Sequence, residues 1–445
     1  MAQDDGGLRV RLGIQQSFAY GDNVALGVPG DPVNPEEGSS SSATTAFALQ
    51  IDSVTRDQQF SLQTGGAYRF ASLPAGNTTS TGFVDPFVAL SYARQGANAR
   101  FSFSGEIRES DISRPPALWN LGDEDNVIRP PTDLAGLRGT GNRREYRTTV
   151  TLETGVNSPL GFRLRGSAGG IRYGNTSTPN LIDNDRTELG LTTFFRFDQA
   201  TSAVLDLRST NFSDDSPQPD RKTRVAEVGF DREFANLSRL SARIGYTDGD
   251  PDNVGNPSGA SGVSGSLSYR RQLPNGTFDA SYSLRRTANG EIDTISAGRQ
   301  IELPTGDLRF KLGATQIYGN SARPVGGVSW SHRMPTTNVT VRLDRAVIAD
   351  STNQDRLTTT LAAQFRREVS PLSSFYANFS YYLADGTAAS NQVTRSNLAL
   401  GYDYALTDDW NLNTGINLRV RDENTVGKAE SQEIFLNLSR KIDLF

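Results

Sequence analysis

Leu8-Arg9-Val10-Arg11-Leu12-Gly13-Ile14-Gln15 carries an apolar side chain at every second position. Successive side chains of an extended chain point to opposite faces, so Leu8, Val10, Leu12 and Ile14 share one face while Arg9, Arg11, Gly13 and Gln15 share the other. Bursts of this kind return as far as Leu444, separated by gaps that alternate between short and long. A sheet with one greasy face and one polar face can cross a bilayer only if it closes on itself, because lipid offers no partner to an unpaired edge. The pattern therefore predicts an all-β fold, a closed antiparallel transmembrane β-barrel.

Working outward from that first strand, Gly21 to Ser42 reads as a loop, with Pro29, Pro32, Pro35 and four consecutive serines. Phe47, Leu49 and Ile51 mark a second strand, which turns at Thr55 to Gln58 into a third carrying Phe60, Leu62, Tyr68 and Phe70. Continued to the end, the reading gives 22 strands, within a range of about 18 to 22 because weak strands can be split or merged. Tight connections fall near Thr55, Gln95, Asn157, Gln199, Asn236, Asn275, Thr305, Pro335, Pro371 and Asp408, and longer ones alternate with them. An even strand number puts both termini on the short-turn side, which is periplasmic in outer-membrane barrels.

Composition agrees. Apolar residues make up 36 % of the chain, with 43 glycines and a negative mean hydropathy, as expected where half of each strand meets water. No uninterrupted apolar stretch approaches the roughly 18 residues of a membrane helix. No linker or shift of composition divides the sequence, so residues 1–445 are expected to form one barrel domain, without a plug because the first strand begins near Leu8. Met1 to Asp5 contain no apolar leader, as in a mature chain whose signal has been removed. There is no cysteine, and a net charge of −5 argues against nucleic acid as a partner. The basic residues include only four lysines, and arginine suits fixed, bidentate pairing with carboxylates.

Opposite the apolar stripe lie Arg100, Arg108, Arg163, Arg165, Arg243, Arg285, Arg309, Arg342, Arg366 and Arg419, with acids that include Glu106 and Glu153. An arginine at the bilayer midplane would cost about 2–4 kcal/mol, so these charges are expected to line the interior. Two readings stand side by side: a water-filled passage for anionic or polyhydroxyl solutes, or a charge network that holds a wide barrel round. Phe18, Tyr20, Tyr68, Phe70, Tyr246, Tyr269, Trp330, Phe375, Tyr404 and Trp410 stand near strand ends, as interfacial girdles require.

The longest connection, residues 111–144, is the third on the long-loop side and so is expected to be extracellular. It holds Trp119, the acids Asp123, Glu124 and Asp125, and the apolar residues Leu118, Val127, Ile128, Leu134 and Leu137. A loop with its own apolar anchors has structure of its own: it either folds into the lumen and narrows it or caps the surface.

Catalytic constellations are absent from the sequence. His332 is the only histidine, which rules out paired-histidine metal sites, and no G-x-S-x-G elbow supports it as part of a hydrolase. It shares the phase of Val328 and Trp330 and is expected on the outer face. Gly136, Gly139 and Gly141 lack the strand-to-helix context of a nucleotide site and read as turn residues. Asp214 and Asp215, and the D-G-D-P-D stretch Asp248 to Asp252, read as solvated acids. No enzymatic activity, cofactor or metal is expected.

Gln15-Gln16-Ser17-Phe18 followed by Asp22-Asn23 and Leu26, a serine-rich loop and a strand ending Ser53 to Arg56 resembles the start of the proteobacterial outer-membrane barrels called β-barrel porin 2. Those residues lie within the first 110 or so; beyond them the resemblance is one of pattern. It implies an outer-membrane porin, or a component of polysaccharide export with a periplasmic export partner. Phe445 resembles the terminal residue read by the barrel-insertion machinery, although the apolar alternation leads to Leu444 and leaves Asp443 and Lys441 in the phase of Phe445. The remaining expected partners are outer-membrane lipid and lipopolysaccharide. Two competing functions are a sealed structural or surface-recognition barrel and a soluble secreted β-protein; no fixed repeat supports a solenoid form of the latter.

Overall fold

A computed structural model describes residues 7–444 except 33, 75–80, 115–117, 119–127, 177, 179–180, 217–219, 250–260, 288, 352 and 387–390. Trp119, Asp123 to Asp125, Val127, Asp250, Asp252 and Phe445 lie outside the described residues.

Twenty-two antiparallel strands form one sheet, each paired with its sequence neighbours, from β1 (Leu8–Asp22) to β22 (Gly427–Asp443). Closure is made by β1 against β22, in register from Arg11 opposite Asp443 to Asp22 opposite Gln432. No α-helix occurs among the described residues. The strands that bear on function are β2 (Ser39–Val54), β3 (Gln58–Ser72), β4 (Gly82–Gln95), β5 (Ala99–Asp111), β6 (Asn142–Thr154) and β7 (Leu160–Gly174). On the far side are β10 (Arg221–Glu233), β11 (Ser238–Gly249), β13 (Gly276–Thr287), β14 (Gly290–Leu303), β15 (Gly306–Ile317), β16 (Arg323–Arg333) and β17 (Thr337–Ala349) to β21 (Trp410–Glu423), with β18 (Asp355–Ser370), β19 (Ser373–Ala384) and β20 (Val393–Ala405) between them. Leu8 pairs with Ser53 beside the β2–β3 turn, so both ends of the described chain lie on the short-turn rim.

The expected loop from Gly21 to Ser42 is shorter than read. Ser39 to Ser42 belong to β2 and pair with Asp22 to Ala19 of β1. The physical reason is position: these residues stand at the loop end of the strand, where apolar alternation is not needed and the ladder alone fixes the backbone. In β4 a bulge at Asp85 and Pro86 shifts the register against β3 between Gly65 and Ala67. Asp85 takes a left-handed φ of 53°, tolerated by its short polar side chain, and reaches the inner Arg69 at 2.7 Å.

The apolar stripe is the outer surface. Ile14, Phe47, Phe101, Leu152, Leu164, Ile244, Phe310, Leu343 and Leu418 are exposed. Aromatic residues gather at its edges, with Tyr68 and Phe70 in contact at 4.9 Å and Trp330 stacked on His332 at 5.7 Å. His332 therefore stands on the outer face beside the β14–β15 turn, where its Nδ1 meets the Thr305 hydroxyl at 3.0 Å.

Candidate functional site

A closed sheet of 22 strands encloses a space too wide for wall side chains to fill. Loops reach across it and identify the inner face. Residues 112–141 leave β5 and pack Ile112, Leu118, Leu134, Ala135 and Leu137 against Tyr382 and Ala384 of β19 and Val393 of β20, with Tyr173 and Leu181 at the edge. Counted through β1 and β22, β19 lies eight strands from β5, where eleven would be diametrically opposite. A contact across that span runs through the barrel interior. The described residues of this loop fold inward and pack on the inner face of β19 and β20.

Polar contacts fix the loop at several points. At its base, Asp111 pairs with buried Arg69 at 3.3 Å and accepts from the Ser113 amide and hydroxyl. Arg114 reaches Glu433 of β22 at 3.2 Å, six residues below the loop end of that strand. With about 3.3 Å per residue and the usual strand tilt, this is about 15 Å below the rim. At the loop's centre Asp133 is 1 % exposed. It accepts two guanidinium N–H groups of Arg143, one at 2.9 Å, and the Tyr173 hydroxyl at 2.6 Å. Arg138 pairs with Asp31 of the β1–β2 loop, and the Thr132 carbonyl accepts from the Ser351 amide in the β17–β18 loop. Gly139 and Gly141 take positive φ of 77° and 135°, and a Cβ on Gly141 would stand 2.8 Å from Thr176, so these are turn glycines set by tight backbone approach.

The β1–β2 loop also turns inward. Leu26 and Val28 bury against Ala429 of β22, and the Asn23 amide donates to the Glu430 carbonyl. Arg419 staples the two loops to the wall, donating to the Ser113 carbonyl at 2.8 Å and the Val24 carbonyl at 2.7 Å.

The twelve charged residues singled out from the sequence all alternate with outward hydrophobic positions and so stand on the inner face, but in different surroundings. Arg100 and Arg163 flank Glu153 in the cross-strand row, with Arg163 at 3.3 Å from it. Arg108 lies 3.3 Å from Glu106 and over the ring of Phe87. Arg165 is exposed. Arg243 lies flat across Gly229, where a Cβ would collide with it at 2.1 Å, and pairs with Asp231. Arg285 reaches Asp355 of β18 at 3.7 Å, Arg309 bonds Gln300, and Arg366 pairs with Asp403. Arg342 sits opposite Ser329 and Ala362 in the register of β16 and β18. Arg419 departs from the expectation of an open-lumen residue. It is buried because two loops cover it, and its N–H groups are spent on their carbonyls.

Away from the loops the inner charges are accessible to water: Arg163 is 44 %, Arg208 47 % and Arg366 53 % exposed along the side chain. Sequence reading missed Asp133, Asp111 and the inward rings of Tyr376 and Phe435. Asp133 carried a weak signal, an acid beside two apolar anchors in a loop long enough to need one. No group of His, Cys, Asp or Glu among the described residues could hold a metal.

The sequence pattern described as Gram-negative porin matches residues 121–424. That is a porin-type outer-membrane barrel, the class implied by the resemblance at the N-terminus. No curated protein matches the sequence. Among solved structures, the FrpB iron transporter of Neisseria meningitidis (F3-3 variant) superposes with a TM-score of 0.57 at 10 % identity, over 99 % of this chain and 82 % of that one. A ferric enterobactin receptor mutant of Pseudomonas aeruginosa gives 0.56 at 10 % identity, over 99 % and 81 %. A siderophore receptor of Acinetobacter baumannii gives 0.55 at 9 %, over 99 % and 81 %. At such identities the likeness is one of fold, a large barrel.

Proposed function

Because the chain belongs to the Gram-negative porin family, we propose that it is an outer-membrane conduit through which polar solutes pass passively. One observation carries this reading: inward charged side chains away from the loops remain half exposed, as they would beside enclosed water. The described residues are all barrel strands and their connections, with no separate plug among them. The loop of residues 112–141 would set the bore on one side and the arginine-bearing wall on the other, an arrangement that favours anionic over cationic solutes. The short-turn rim, with both ends of the chain, would face the periplasm, and the outer stripe would meet lipid and, toward the loops, lipopolysaccharide. No catalytic role is proposed.

Liposome swelling tests the reading. Proteoliposomes in isotonic solutions of small sugars should swell at rates that fall with solute size. Absence of swelling from correctly folded protein would assign instead a sealed barrel that acts through its loops.

A further inference from the structure

We infer that the inner wall of β17–β21 near the short turns carries a binding subsite for one unit of a neutral saccharide, an inference that rests on solutes entering this lumen. A pocket of about 440 Å³ opens there, within the range of small-molecule sites, about 300–1,000 Å³. Its residues lie close to the β16–β17, β18–β19 and β20–β21 turns, at the opposite end of the barrel from the inward-folded loops.

The register explains its shape. Asn338, Arg366, Tyr376, Gly401, Gly415 and Phe435 follow one another across six adjacent strands, all on the inner face. A Cβ on Gly401 would stand 2.3 Å from Cζ of Tyr376, and one on Gly415 would stand 2.8 Å from Cζ of Phe435. The paired glycines thus leave room for both rings to lie down on the wall, which turns the other face of the tyrosine ring toward the lumen. Its hydroxyl is pinned by the Asn413 amide at 3.1 Å, which also donates to Asp403 at 2.7 Å, and the Asn437 amide donates to the Asn413 carbonyl oxygen. The platform is thereby held before any solute arrives.

Polar groups surround it. Asn338 and Asn378 line the pocket with amides that form no hydrogen bond to the described residues. Each offers a donor and an acceptor side by side, the pattern that adjacent sugar hydroxyls complement. A pyranose ring presents one face of C–H groups to an aromatic ring and an edge of hydroxyls to such amides. The charge gives an anion no advantage. The one cation of the pocket, Arg366, is held 2.5 Å from Asp403, which leaves the pair formally neutral.

The test is calorimetric titration of the full detergent-solubilised chain with maltose and, separately, with sodium gluconate. Maltose should bind saturably and gluconate should not. Tyr376→Ala and, as a variant that keeps the platform, Asn378→Ala should each weaken maltose about ten-fold, whereas Tyr376→Phe should retain it. No saturable maltose binding to the wild type, gluconate binding as tightly as maltose, or unchanged affinity in both alanine variants would overturn the proposal. Planar-bilayer recordings on the same samples separate the two claims: binding without conductance supports the subsite and sinks the passage, and conductance without binding does the reverse.

Discussion

Replacing Asp133 by alanine should release the inward-folded loop while leaving the barrel intact. The carboxylate is enclosed, accepts the Nε and Nη2 N–H groups of Arg143 and accepts from Tyr173, so its removal strands one edge of a buried guanidinium and a half-buried phenol hydroxyl. Breaking a buried pair by deleting one partner costs about 3–5 kcal/mol. Arg143 keeps Glu145 at 2.8 Å, which places this case at the lower end, about 3 kcal/mol. At 1.4 kcal/mol per factor of ten, the ratio of docked to undocked loop falls by about 100-fold. The barrel ladder loses nothing, because Asp133 lies in no strand. The assay is single-channel recording beside limited proteolysis. The variant should show larger and noisier conductance and new cleavage within 112–141, with its unboiled gel mobility unchanged. Wild-type conductance in a variant whose loop has become cleavable would refute the claim that this loop sets the bore. Unchanged cleavage would refute the assignment of Asp133 as its anchor.

Other consequences are as direct. Neutralising Arg100, Arg163 and Arg285 together to glutamine should move the reversal potential in a salt gradient toward cation selectivity, since three inner positive charges are removed while Glu153 and Asp355, the partners of Arg163 and Arg285, keep theirs. The chain has no cysteine, so a single introduced thiol reports its own surroundings. Ser102→Cys, on the inner face, should react with a membrane-impermeant maleimide in proteoliposomes. Phe101→Cys, one residue away on the lipid face, should not, and the reverse order would invert the barrel.

Much of the architecture was legible because it rests on a period of two. Leu8 to Ile14 sets the face, and the same phase rule places Arg100, Arg163 and Arg366 inward without knowledge of any neighbour. Strand ends were less legible. The serines at 39–42 look like loop because they lack apolar alternation, yet they are held by backbone pairing with β1, which leaves no mark on side-chain pattern. The site was legible only in part. Arg419 reads like any inward arginine; its burial comes from Ser113 and Val24, distant in sequence and brought to it by barrel closure. Tyr376 and Phe435 escape for a related reason: an inward ring is tolerated only because Gly401 and Gly415 lie beside them in register, and register is a property of the folded sheet.

The central claim is that charged side chains face enclosed water continuous from rim to rim, and electrical recording tests it most directly. Purified wild-type protein added to a planar bilayer should give discrete steps of equal size with a linear current–voltage relation. A protein that inserts and shows heat-modifiable gel mobility but passes no current would contradict the account.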